Sequence, residues 1–136
     1  MGTDVLVNTT FAFLAWGSDS DPGINQNLFI GVRGNASGDD VRCSARRSST
    51  SGNATSVAYF SYGDSAAPAT TVPAPLALGT TYRLTTVVRG PQVECSLGAA
   101  RISMGGVPIV NGFLRIRVRN VALQIQSIVA YQLGAP

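Results

Sequence analysis

The stretch YRLTTVVRGPQVECSL, residues 82–97, constrains the fold of this chain more than any other segment. Its first half alternates in the period of a strand with one buried face. Gly90 and Pro91 then predict a reversal, because glycine supplies the positive φ of a tight turn and proline cannot continue a hydrogen-bonded ladder. Pairing Arg89 with Gln92 places the apolar positions on one face: Val88 opposite Val93, Thr86 opposite Cys95, and Leu84 opposite Leu97. The segment therefore predicts an antiparallel hairpin with one face in a core.

Similar alternation recurs along the chain, and no window has convincing helical periodicity. We predict further strands at residues 4–15, 28–33, 41–46, 56–62, 99–104, 113–119 and 123–133. In the last strand the pattern predicts an inward face made of Leu123, Ile125, Val129, Tyr131 and Leu133. Residues 64–75, rich in Ala, Pro and Thr, predict an extended polyproline-like segment that crosses the surface. Residues 1–136 thus predict a single all-β domain of eight or nine strands, a two-sheet antiparallel β-sandwich or jelly roll.

Charged residues make up only 12% of the chain, about half the usual share. Two explanations remain open: an assembly that covers much of the surface, or a surface rich in Ser, Thr, Asn and Gly. The net charge of +3 is too small to indicate a nucleic-acid partner, and the basic residues are not interleaved with stacking aromatics. The chain has no long apolar run and no export signal at its start, so we expect no membrane insertion.

The residue inventory argues against catalysis. The chain has no histidine, which excludes histidine-dependent triads and imidazole metal ligands. A glycosidase needs two carboxylates on either side of the scissile bond. The acidic residues lie almost entirely in predicted turns: Asp4, Asp19, Asp21, Asp39, Asp40, Asp64 and Glu94. We therefore predict a protein that is not an enzyme and has no catalytic residues.

Arg115, Arg117 and Arg119 share one face of a predicted strand, about 7 Å apart. Three guanidinium groups in a row suit an anionic glycan or a neighbour that carries carboxylates. The alternative is an ordinary solvated face. Trp16 is the further candidate for ligand binding, as part of a platform on which a sugar stacks, although alternation directs most of the aromatic residues towards the core.

Cys43 and Cys95 both fall at inward positions of predicted strands. One interpretation is a disulfide that closes a loop of about 50 residues and stabilises the fold by about 4 kcal/mol. The other is a pair of buried thiols that pack as small apolar groups. The lack of an export signal favours the thiols.

Four segments together resemble the concanavalin A-like (laminin G-like) jelly-roll superfamily: TDVLVNTTFAF, LFIGVRG, YRLTTVVRGPQVECSLG and NGFLRIRVRNVALQIQSIVAYQL. The resemblance covers most of the chain and implies calcium as the one candidate cofactor, because laminin G-like domains often hold it with loop oxygens. The candidate ligands are Asp19 and Asp21 in SDSDPG and Asp39 and Asp40 in SGDD. The alternative is that these aspartates cap turns.

The small-residue composition, with arginine as the only basic residue type, also resembles tail and head-decoration proteins of phages. The resemblance implies a non-enzymatic structural or binding module, expected in a virion as a capsid decoration or minor tail protein. Its expected partners are other virion proteins, itself as a homo-oligomer, and a cell-surface glycan. The alternative is a carbohydrate-binding accessory domain of a secreted bacterial protein.

Overall fold

The computed structural model describes residues 2–17, 25–48, 52–63 and 67–134. These ranges contain no helix, and hence none long and apolar enough to cross a membrane. Their ten strands are β1 (Val5–Trp16), β2 (Gln26–Gly34), β3 (Val41–Ser48), β4 (Ala54–Phe60), β5 (Thr70–Pro73), β6 (Thr81–Arg89), β7 (Gln92–Leu97), β8 (Ala100–Met104), β9 (Phe113–Arg119) and β10 (Val121–Gln132).

The strands form two antiparallel sheets of five. The first has the order β10-β1-β6-β7-β8 and the second the order β5-β4-β3-β2-β9. Their inner faces meet in one apolar core, to which β1 contributes Phe11, β2 contributes Ile30 and β6 contributes Leu84. The prediction of an all-β, two-sheet antiparallel sandwich is therefore confirmed.

The central hairpin forms in the predicted register. Arg89 pairs with Gln92, and the three predicted apolar pairs follow, from Val88 with Val93 to Leu84 with Leu97. Gly90 has φ +53°, the left-handed conformation that the turn requires of it. The face that carries these pairs is buried in the core, so local alternation and one turn were sufficient to set the register.

The last strand departs from its predicted pattern. Its register against β1 shifts between Thr10 and Phe11, which leaves one extra residue in β10 and reverses the alternation beyond it. Leu123 and Ile125 face inward as predicted. Val129 and Tyr131 instead lie on the outer face, with 42% and 53% of their surface exposed. The prediction that these two residues face the core is wrong.

The segment rich in Ala and Pro contains a strand that its composition did not predict. Thr70–Pro73 forms β5, which pairs with β4 so that Val72 lies opposite Val57. The prediction of an unpaired segment is wrong for these residues. Pro73 has no N–H to donate, yet it is tolerated because β5 lies at the edge of the second sheet.

A disulfide joins Cys43 of β3 to Cys95 of β7, with the Cα atoms 5.6 Å apart. It crosses the core and links the second sheet to the first. The structure therefore supports the disulfide, and the preference for buried thiols is overturned.

Arg33 is a buried cation that the sequence patterns did not single out. Its side chain is fully buried at the end of β2, and it has a left-handed backbone with φ +56°. Nε donates to Thr3 O (2.8 Å), Nη1 to Pro108 O (2.6 Å) and Nη2 to Gly90 O (2.8 Å). Burial lowers the pKa of this guanidinium, and the Asp4 carboxylate, 3.5 Å away, partly opposes that shift. Arg33 thus ties three separate chain segments together.

Candidate functional site

The outer face of the second sheet concentrates half of the positive charge of the chain. The strand registers place three rows of side chains across it, and we call this surface the arginine face. The first row is Arg119, Asn27, Arg46, Ser56 and Pro73; the second is Arg117, Phe29, Ser44, Ala58 and Thr71; the third is Arg115, Gly31, Arg42 and Phe60. Five of the ten arginines therefore share one surface.

One buried carboxylate, Asp40, holds part of this surface in place. Arg42 Nε donates to Asp40 Oδ1 at 3.0 Å, and Arg115 Nη1 donates to Oδ2 at 3.2 Å. The carboxylate lies over Gly31, where any Cβ would overlap it. Because Gly31 has no side chain, Asp40 has room to bridge Arg42 on β3 and Arg115 on β9.

The polar side chains of the arginine face are unusually well buried for an outer surface. Asn27 and Ser44 are buried and hydrogen-bonded to each other, with Ser44 Oγ 2.9 Å from Asn27 Oδ1. Arg42 lies over the Phe29 ring at 5.1 Å, and Arg46 lies over the Phe60 ring at 6.0 Å. These contacts fix the side chains before any ligand arrives, which reduces the entropy lost on binding.

Arg46 is the least satisfied of the buried groups. Only 8% of its surface is exposed, and burial lowers the pKa of its guanidinium. Its buried Nε has no hydrogen-bond partner among the described residues. A buried donor without a partner costs about 1–3 kcal/mol, so an acceptor from a ligand would be favourable here.

Two pockets open on the arginine face. One, of about 350 Å³, is lined by Phe29, Arg42, Arg117, Val118 and Arg119. The other, of about 340 Å³, lies over β3, β4 and β5 and is lined by polar and small residues: Arg46, Ser48, Ala54, Thr55, Ser56, Pro68, Thr71 and Pro73.

A third pocket, of about 360 Å³, shares Pro73 with the second pocket but has a different chemistry. Its lining is almost entirely apolar, from Val72 and Pro73 to Ala100. Its one polar side chain is Tyr82, whose hydroxyl already accepts a hydrogen bond from Ala77 N at 2.7 Å. It has no charged lining residue, so the arginine face is the better candidate for recognising a polar ligand.

The three arginines predicted to share a face do so, although their role in binding stays a prediction. Arg115 is engaged with Asp40 and with Asn35 O, to which its Nη2 donates at 2.7 Å. Arg117 and Arg119 are exposed and have no ion-pair partner within the described ranges. The sequence did not associate them with Arg42 and Arg46. Alternation in β3 implied that those two side chains face outward, but only the strand order puts β3 beside β2 and β9.

Trp16, the fourth predicted ligand-binding residue, lies elsewhere. It ends β1 in the first sheet, with its ring 4.7 Å from that of Phe13. The Arg47 guanidinium lies 5.2 Å from the Trp16 ring. The structure does not bring Trp16 to the arginine face.

Of the predicted calcium ligands, Asp19 and Asp21 lie outside the described residues. Asp39 accepts a hydrogen bond from Asn35 Nδ2 (3.2 Å), and its own backbone N–H donates to Asn35 Oδ1 (3.0 Å). Asp40 is engaged by two guanidinium groups, which makes it a poor calcium ligand. The described residues contain no cluster of three or more metal-ligating side chains. Calcium binding stays a prediction from the resemblance.

The fold of this chain is similar to those of known β-sandwich proteins. No protein-family model matches the sequence, and a comparison with curated proteins finds no match. Among solved structures, the chain is similar to the carbohydrate binding module CBM66 from Bacillus subtilis, with a TM-score of 0.69 and 13% identity over 96% of this chain and 76% of that one. The fold is a jelly-roll sandwich of two antiparallel five-stranded sheets.

Two further structures support this fold assignment. The chain is similar to the galectin LEC-6 from Caenorhabditis elegans, with a TM-score of 0.60 and 13% identity over 96% of this chain and 84% of that one. It is also similar to the alginate lyase AlgAT5 of polysaccharide lyase family 7, with a TM-score of 0.56 and 10% identity over 94% of this chain and 58% of that one. At such identities these likenesses show a shared fold, and function must be argued from the site.

Proposed function

We propose that this chain is a non-enzymatic carbohydrate-binding module that binds its ligand on the arginine face. The observation that carries the proposal is the buried, mutually fixed set of polar side chains between two open pockets. Sugar recognition needs hydrogen-bonding groups at fixed positions. Arg42 and Arg46, which line the first and the second pocket and lie over aromatic rings, are such groups. The carbohydrate binding module of similar fold adds support, because its name states the same activity.

The lack of enzymatic activity is argued from the described carboxylates. Asp40 bridges two arginines, and Asp4 contacts Arg33. Asp39 is hydrogen-bonded to Asn35, and Glu94 lies 3.4 Å from Arg101 on the outer face of the first sheet. None of them forms a pair across a pocket of the arginine face, as glycoside hydrolysis would require. The alginate lyase of similar fold makes polysaccharide cleavage the activity to test. We expect no release of oligosaccharides.

The test is calorimetric titration with a panel of neutral and acidic polysaccharides, using a variant that blocks the face. Ser56→Trp puts a large ring into the second pocket, and we expect it to reduce binding at least tenfold. The matched control is Ser96→Trp, at a similarly half-buried position on the outer face of the first sheet. Failure of the whole panel to bind, or equal binding by Ser56→Trp and the wild type, would overturn the proposal.

We also propose that the chain associates with itself along β10. Each of the other edge strands carries a residue that discourages strand addition: β5 has Pro73, β8 has Arg101, and β9 has three arginines. β10, with its twelve residues, contains neither charge nor proline. An antiparallel pairing of two β10 strands about a twofold axis would satisfy its free backbone groups. Light scattering across a concentration series tests this association.

The similar structures give no support to a place in a phage virion, which remains a prediction from composition and resemblance. The carbohydrate-binding interpretation, together with the disulfide, agrees better with a protein that works outside a cell, where disulfides persist. Mass spectrometry of the particles and of the secreted fraction from the source culture would distinguish the two locations.

A further inference from the structure

The charges of the arginine face do not balance. Five guanidinium groups lie across the outer surface of the second sheet, and among the described residues the carboxylate of Asp40 is the one negative group that bridges them. That single carboxylate is shared by Arg42 and Arg115. The remaining positive charge belongs to Arg46, Arg117 and Arg119.

The guanidinium groups of Arg46, Arg117 and Arg119 line the two pockets, where a ligand could contact them. Arg117 and Arg119 line the first pocket, are exposed, and have no ion-pair partner in the described part of the chain. Arg46 lines the second pocket, with its buried Nε unpaired. Arg42 also lines the first pocket. Its buried Nη2 forms an ion pair with Asp40 Oδ1 at 2.9 Å, but among the described residues it has no partner in hydrogen-bond geometry.

The two pockets define the length and direction of the ligand. The first lies over β9, β2 and β3, and the second over β3, β4 and β5. Arg117 on β9 and Arg46 on β3 are two strand spacings apart, about 10 Å, and the five strands beneath the two pockets extend over about 19 Å. A ligand that fills both pockets is therefore a chain of several sugar units that crosses the strands.

We propose that this ligand is an acidic polysaccharide, whose carboxylate or sulfate groups bind Arg117 and Arg119 in one pocket and Arg46 in the other. The inference rests on the proposed function and names the class of carbohydrate. Planar guanidinium groups match carboxylate and sulfate oxygens through paired N–H donors. A neutral sugar would cover these cations without neutralising them, which costs free energy.

A nucleic acid is the other extended polyanion, and the face is poorly built for it. Single-stranded nucleic acids bind through aromatic rings that stack on the bases. Phe29 and Phe60 are 7% and 4% exposed and pack against each other and against arginines. Phe113, at the start of β9, is 47% exposed, with the Arg115 guanidinium 5.2 Å from its ring. Among the described residues of this face, one exposed ring does not make the row of stacking positions that successive bases need.

The test compares a charged polysaccharide with its uncharged form. Polygalacturonate supplies carboxylates, its fully methyl-esterified form supplies the same sugar without charge, and heparin supplies sulfates. We expect polygalacturonate or heparin to bind at least tenfold more tightly than the ester, and the affinity to fall as salt is raised, because exposed charges are screened. Because heparin carries carboxylates as well as sulfates, binding of polygalacturonate at least as tight as that of heparin would show that carboxylates are sufficient.

The variant Arg117→Gln/Arg119→Gln should reduce this affinity at least tenfold. The matched control, Arg83→Gln/Arg89→Gln, removes the same charge from exposed positions on β6 in the first sheet and should leave it within twofold of the wild type. Equal losses in both variants would mean that only net charge matters, and would overturn the inference.

The other outcomes separate the inference from the proposed function. Equal binding of the ester and the acid, lost in Ser56→Trp, would overturn the acidic ligand and leave carbohydrate binding on this face intact. Binding of single-stranded DNA as tightly as of the acids would overturn it in favour of a nucleic acid. If no polysaccharide bound, both proposals would fail.

Discussion

Three backbone carbonyls from distant parts of the chain, those of Thr3, Gly90 and Pro108, accept hydrogen bonds from the single guanidinium of Arg33. No shorter or less branched cation can reach all three, because only the planar fork of arginine directs donors along such different lines. The left-handed φ of Arg33 adds strain that these bonds must outweigh. The residue is therefore a structural hub, although an exposed position is the usual expectation for an arginine.

We expect Arg33→Lys to destabilise the fold by about 3 kcal/mol, since hydrogen bonds to a charged group contribute about 1.5–3 kcal/mol each and the carbonyls left behind are partly buried. In a domain of this size that loss corresponds to a fall in Tm of roughly 10 °C. Thermal unfolding by circular dichroism measures it. Arg83→Lys, at an exposed position, is the control and should change stability by less than about 0.5 kcal/mol. A Tm fall in Arg33→Lys no larger than in the control would refute the role of Arg33.

Gly31 has no side chain, and the Asp40 carboxylate occupies the space that a Cβ would fill. We expect Gly31→Ala to cost about 2 kcal/mol, because its methyl group must displace the buried Asp40 carboxylate from between Arg42 and Arg115. Thermal or denaturant unfolding gives the free energy change.

A double-mutant cycle with Asp40→Ala isolates the mechanism of this loss. Once the carboxylate is absent, Gly31→Ala should cost less than about 0.5 kcal/mol. If the substitution cost the same in both backgrounds, the glycine would be acting through the strand backbone instead.

Among the elements, β10 is the one whose exposed edge lacks protection. We expect a single lysine there, Val129→Lys, to prevent self-association, because the residue is exposed on an edge strand and a lysine at such a position opposes pairing with a second strand. Light scattering should show a monomer at concentrations where the wild type is a dimer. Ser103→Lys, at an exposed position on β8, is the control and should leave the mass unchanged. A wild type that stays monomeric throughout would refute the proposal.

Elements differ in how far their sequences specify them. The β6–β7 hairpin was predictable to the residue, because alternation and Gly90 act over a few positions. The outward rotation of Val129 depends on a bulge against β1, a strand more than a hundred residues earlier, and no local pattern reports it. β5 was missed because prolines near a strand usually indicate its absence, whereas here pairing with β4 outweighs that preference.

For the molecule as a whole, the disulfide between Cys43 and Cys95 is the covalent link between the sheets. We expect Cys43→Ala/Cys95→Ala to lose about 4 kcal/mol of stability in the chain-entropy account, given the sequence separation of 52. Reductant should lower the Tm of the wild type and leave that of the variant unchanged. Thiol titration of the denatured wild type should find no free thiol. Two titratable thiols would show that the sulfurs are not bonded.

The candidate site is a property of the whole fold and was only partly predictable. Alternation in β9 was enough to align its three arginines. Their association with Arg42 and Arg46 requires β9 to lie beside β2, although 78 positions separate Gly34 from Phe113, which pair in the sheet. Such long-range order follows from how the two sheets cover each other, which no single segment encodes.

The arginine face belongs to the second sheet and the unprotected β10 edge to the first, so the proposed binding and the proposed self-association would use separate surfaces. A dimer joined along β10 would carry two such faces. On a polymer with a repeating acidic group, engagement of the first face raises the effective concentration of ligand at the second, and overall avidity can rise by about 10²–10⁴ without any new contact. Weak single-site binding to a short oligosaccharide would then be compatible with firm retention on an intact matrix.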